Sequence, residues 1–76
     1  MIDAGLIAAA GVALWGKAWR PGLGDALGVN ERTIRHWLAG TMPVPDGVWR
    51  DLAELAQQRR DALELVSTAL AERLKT

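Results

Sequence analysis

The stretch Leu23 to Gly40, LGDALGVNERTIRHWLAG, decides how this chain folds. Its apolar residues fall at Leu23, Ala26 and Leu27, then Val29, then Ile34, Trp37 and Leu38, two short helical stripes interrupted by Gly28-Val29-Asn30. Gly28 can take the positive φ at which a helix stops abruptly. Val29 can plug the angle between the helices, and Asn30 can cap the second by accepting from its first free amides. The spacing therefore predicts two helices joined by a tight turn, the layout of a helix-turn-helix. The second helix is expected from about Glu31 to Leu38. With Ile34, Trp37 and Leu38 turned inward, Glu31, Arg32, Arg35 and His36 are left facing out. Two guanidiniums, a carboxylate and an imidazole on one short helix suit hydrogen bonding to base edges and phosphates.

Leu23 to Trp37 resembles the helix-turn-helix of lambda-repressor-like (Xre/Cro type) transcriptional regulators. Its leucine, alanine, Leu-Gly-Val, capping residue, Arg-Thr-Ile and Trp come in that family's order. The resemblance continues through Gly40, Pro43-Val44-Pro45, Val48-Trp49 and Leu52, as in small phage, prophage and bacterial regulators, and regulators associated with anti-CRISPR genes carry a similar stretch. It covers roughly residues 15 to 60. It implies that Glu31, Arg32, Arg35 and His36 turn toward a DNA major groove, with Thr33 nearer the backbone. At the start of the preceding helix the sequence departs from the family. Many relatives carry Thr-Gln there, with the glutamine on DNA, whereas this chain has Trp19-Arg20-Pro21-Gly22. The resemblance places the phosphate-anchoring role on Arg20.

A chain of 76 residues makes one domain, and one this small buries only about 60% of its unfolded surface. A partner surface is therefore expected to contribute to stability. Without cysteine there are no disulfides or thiolate metal sites, and a single histidine argues against a metal centre. Met1 to Trp15 is apolar, but it lacks a basic leading segment, carries Asp3, and is shorter than the ~20 residues that span a bilayer. A soluble, cytoplasmic protein with no membrane partner is expected. The formal net charge is zero, which is not the basic excess usual in nucleic-acid binders. The distribution matters more: Met1 to Pro45 carries +1 and Asp46 to Thr76 carries −1, and every base of the first part lies between Lys17 and Arg35.

Upstream of the central stretch, Ile2, Leu6, Ala9 or Ala10, Ala13 and Leu14 recur at helical spacing and predict a first helix, about Asp3 to Trp15, ended by Gly16. Asp3 suits the positive end of its dipole. Gly5 and Gly11 weaken it by roughly 1 kcal/mol each and permit close helix contact. Pro21 suits a first helical turn, so the second helix is expected from about Arg20 to Leu27, with Trp19 packed ahead of it as a staple. Arg20 then sits where free amides and the helix dipole favour an anion. Gly24 is expected to admit the close approach of the reading helix.

Downstream, Thr41-Met42-Pro43-Val44-Pro45 reads as a stiff extended connector, and Asp46 as the cap of a C-terminal segment. No Pro or Gly occurs from Val48 to Leu74, so one long helix, or two with a kink near Gln57 to Asp61, is expected. Leu52, Leu55, Leu63, Val66, Leu70 and Leu74 form its apolar stripe. The first half can cover the core with Trp49. The second half is left without a surface to pack on, which makes residues 60–76 the expected dimerisation helix.

The expected fold class is all-α, a compact helix-turn-helix bundle of four to five helices with a long C-terminal helical segment, in one domain over residues 1–76. The expected function is a sequence-specific regulator of transcription, a homodimeric repressor of phage or mobile-element type on an inverted repeat in double-stranded promoter DNA. Its DNA-binding residues are Arg20, Glu31, Arg32, Thr33, Arg35 and His36. The alternative is a helix-turn-helix that packs on protein, as an antitoxin or an inhibitor of a host or phage factor. No paired carboxylates, metal cluster or nucleotide-binding loop points to an enzyme, a cofactor or a small-molecule ligand.

Overall fold

In a computed structural model, which describes residues 3–75, the chain forms four α-helices and, among those residues, no strand: α1 (Asp3–Trp15), α2 (Trp19–Leu27), α3 (Glu31–Ala39) and α4 (Asp46–Lys75). The first three helices and the start of α4 enclose one core of Ile7, Leu14, Trp19, Leu23, Ile34, Trp37, Val44 and Leu52. α1 lies against all three other helices. No helix in the described residues is long and apolar enough to cross a membrane.

The inward face of α1 differs from the expected one. Ile7, Gly11 and Leu14 are buried, while Leu6 and Val12 are exposed, and Ile2 lies outside the described residues. Apolar residues surround this helix on every side, so their period carries no phase. Packing with α2 sets the rotation instead. Trp19 lies across Gly11 so closely that a Cβ there would overlap the indole, and only the glycine face of α1 can meet that ring. Trp19 is also the first residue of α2 rather than a staple ahead of it.

The turn from α2 to α3 follows the local chemistry of its residues. Gly28 takes φ +68° and its N–H donates to the Gly24 carbonyl, which also accepts from Val29 N at 3.0 Å. Asn30 is extended, and its side chain accepts from the Thr33 amide at 2.8 Å. Gly24 does sit at a close approach, but chiefly to the turn: a Cβ there would lie 2.8 Å from the Val29 carbonyl oxygen and 3.6 Å from Ile34 Cδ1. Gly24→Leu is expected to lower stability by about 1–3 kcal/mol through this overpacking, measured by urea denaturation. An unchanged midpoint would show that the turn has room to spare.

α3 ends at Gly40, whose N–H reaches the His36 and Trp37 carbonyls. Trp37 is buried at 3% exposure, so it is a core residue and has no ring face to offer a base. Its indole Nε1 is buried without an acceptor among the described residues. Val44, held between two prolines, is buried and pins the connector to the core.

Asp46 is not a cap but the first residue of α4; the Pro45 carbonyl accepts from Val48 N at 3.0 Å. α4 is a single helix of 30 residues, so among the described residues the bundle has four helices and no fifth. At 1.5 Å per residue it is about 45 Å long, which accounts for the longest dimension of the molecule, 54 Å. Across the segment where a kink was one expectation, Gln57 Nε2 donates to Asp61 at 3.0 Å and Arg60 donates to Gln57. Leu52 is buried and Leu55 and Trp49 pack against the core, but every described residue beyond Leu55 is exposed.

Candidate nucleic-acid interface

At 100° per residue, Ile34 and Trp37 of α3 point to one side and Glu31, Arg32, Arg35 and Ala39 span an arc of roughly 100° on the other. The burial agrees: Ile34 is 1% and Trp37 3% exposed, while Glu31, Arg32 and Arg35 are exposed. Arg32 and Arg35 make no ion pair or hydrogen bond among the described residues. Their guanidinium donors face solvent with no partner among the described residues. The face has a cationic centre, and Ala39 is the one apolar residue in the arc.

Arg20 belongs to the same surface although it lies on α2. Its Nη1 is 3.3 Å from Glu31 Oε1, and its Cζ lies 5.7 Å from the Trp19 ring centroid. The first turns of α2 and α3 are thereby tied by a polar contact. Each was expected to bind DNA, Arg20 at a phosphate and Glu31 at a base; in the structure they are paired with each other.

Thr33 and His36 have work inside the protein. Thr33 Oγ1 donates to Asn30 Oδ1 at 3.0 Å, so its hydroxyl proton joins its amide on the cap and is not free for a phosphate. His36 is half-buried at the edge of the face. Its Nδ1 lies 2.9 Å from Thr41 Oγ1, which also donates to the His36 carbonyl at 3.3 Å. A hydroxyl has one proton; with that proton on the carbonyl, Oγ1 accepts from Nδ1–H, and in the neutral tautomer so selected Nε2 is the hydrogen-bond acceptor. Thr41 thus orients the imidazole. The available sequence signal for it was a threonine directly after the helix-ending Gly40, five residues after His36. The Arg20–Glu31 pairing had a weaker one, opposite charges near the starts of successive helices.

α4 carries a second exposed surface, this one apolar. Leu63, Val66, Leu70 and Leu74 of α4 are 61%, 52%, 59% and 86% exposed. At its inner end the row enters an open groove of 680 Å³ whose walls include Ala10, Ala13 and Leu14 of α1 and Ala56 and Leu63 of α4. In comparisons with models of protein families, with curated proteins and with solved structures, the chain matches none.

Proposed function

We propose that the chain is a sequence-specific DNA-binding regulator of transcription in which α2, the Gly28 turn and α3 form a helix-turn-helix. The observation that carries this reading is the outer face of α3, where Arg32 and Arg35 stand exposed and unpaired beside Glu31. α3, of nine residues, is about 13 Å long and suits a major groove about 12 Å wide that admits a helix. Arg32 and Arg35 would pair with guanine O6 and N7, Glu31 with cytosine N4, and Arg20 with a phosphate. His36 Nε2 would accept from a base amino group at the edge of the contact. Thr33 positions the helix through its cap. The family resemblance of Leu23 to Trp37 supports the same reading.

The protein acts as a homodimer joined through the projecting half of α4. An apolar row of this length, exposed along a helix that leaves its own core behind, is the kind of surface that marks association, and a two-fold interface is the simplest that closes. Two copies of α3 then enter successive major grooves about 34 Å apart on an inverted repeat, and occupancy of a promoter excludes polymerase. Linking two half-site contacts compensates for the zero net charge by raising effective concentration. Leu63→Glu with Leu70→Glu is expected to convert dimer to monomer in sedimentation equilibrium and to lower affinity for the operator. A wild-type chain that sediments as a monomer at micromolar concentration would refute the dimer.

Zero net charge together with the apolar α1–α4 groove favours one other reading, a module that binds protein. Salt separates the two. DNA affinity falls steeply with salt as counterions are released, whereas an apolar protein interface responds weakly. Titrating a 30-bp duplex with the protein at several salt concentrations is the test, and binding that ignores salt would overturn the DNA reading.

A further inference from the structure

The Arg20–Glu31 pair carries an inference about specificity that rests on the DNA reading above. It joins α2 to α3 across eleven residues, whereas the side-chain hydrogen bonds of Asn30, His36, Gln57, Thr68 and Lys75 span only three to five. The two side chains are 46% and 52% exposed, and an ion pair so open to water contributes little to holding a fold together. Its geometry has a larger effect on anything anionic that approaches. Paired through one Nη1 contact, Arg20 and Glu31 present no net charge to a phosphate, so Arg20 neutralises a phosphate fully only when Glu31 is engaged elsewhere, and a carboxylate left unpaired beside the DNA backbone is repelled by it.

We infer that Glu31 is a specificity-determining residue that makes the Arg20 phosphate contact conditional on the base beneath the first turn of α3. On a site that offers an amino donor there, such as cytosine N4, Glu31 accepts from the base and Arg20 is released to the backbone. On other sequences the carboxylate keeps Arg20, and one phosphate per protomer stays unneutralised. A single ion pair thus couples base readout to backbone affinity. Glu31 acts as a switch as well as a contact, and its charge discriminates against non-cognate DNA.

Glu31→Gln separates these roles, because the amide oxygen still accepts from a base while the negative charge is gone. The probes are the duplex enriched by wild-type protein from a random pool and a 30-bp scrambled duplex, each titrated at four salt concentrations. Glu31→Gln is expected to bind the scrambled duplex about two- to five-fold more tightly, the size of an exposed ion-pair effect. Its salt slope there should steepen by about 0.9 per protomer, for one more phosphate neutralised. The ratio of operator to scrambled affinity should narrow, and adding Arg20→Ala should abolish both gains. Unchanged affinity and slope on the scrambled duplex, or a gain that survives Arg20→Ala, would overturn the switch while leaving the DNA reading intact. Wild-type protein that binds neither duplex would overturn both.

Discussion

Trp19→Ala is expected to destabilise the protein by about 3–5 kcal/mol, the cost of deleting a large buried aromatic. A single core in a domain of this size rarely supplies more than about 3–5 kcal/mol, so the variant should be largely unfolded in plain buffer. Trp19 is 8% exposed and belongs to the core to which all four helices contribute. Its seat is Gly11 of α1, where a Cβ would overlap the indole. Gly11→Ala approaches the same contact from the other side: overpacking of about 1–3 kcal/mol outweighs the ~1 kcal/mol that alanine gains over glycine in a helix. In the Trp19→Ala background the added methyl enters the space the ring has left, and its effect should change sign. Urea denaturation of the four proteins in a TMAO background, which favours the folded state enough for the Trp19→Ala forms to show a native baseline, measures this coupling. Additive losses would show that the α1–α2 contact is not organised around the pair.

Arg32→Ala with Arg35→Ala is expected to cost about 1–3 kcal/mol of operator affinity for each side chain removed, without moving the urea midpoint. The second half of that expectation follows from exposure. Both guanidiniums face solvent on the side of α3 opposite Ile34 and Trp37 and hold no partner among the described residues, so the fold loses nothing with them. Affinity for a scrambled duplex should fall less, because a bidentate guanine contact is lost only where the guanine is present. Fluorescence anisotropy on the two duplexes, with matched unfolding curves, is the measurement. Equal losses on both sequences would make the pair phosphate anchors rather than readers.

The parts of this fold that were legible in the sequence are those fixed by short-range chemistry. Gly28, Asn30 and Gly40 mark the ends of α2 and α3 because a positive φ and a side-chain cap are properties of single residues. The facing of α3 was readable too, since Ile34 and Trp37 stand against four polar residues. α1 was the opposite case. With Leu6, Ile7, Val12 and Leu14 all apolar, periodicity leaves the rotation open, and Trp19 chooses it from outside the helix. The continuity of α4 depended on the absence of any breaker after Gly47 and on local Gln57–Asp61 bonding, which composition permits but does not require. Within the site, exposure of Arg32 and Arg35 followed from spacing alone. The pairing of Arg20 with Glu31 did not, because it depends on the angle that the Gly28 turn sets between two helices.

Selection from random-sequence duplex DNA, run side by side with the wild-type chain and the Arg32→Ala/Arg35→Ala variant, addresses the proposed function most directly. Wild-type protein should enrich an inverted repeat whose half-sites are one helical turn, about 34 Å, apart, and the variant should enrich nothing. A folded wild-type chain that recovers no sequence, or a variant that recovers the same repeat, would contradict recognition of DNA by the outer face of α3.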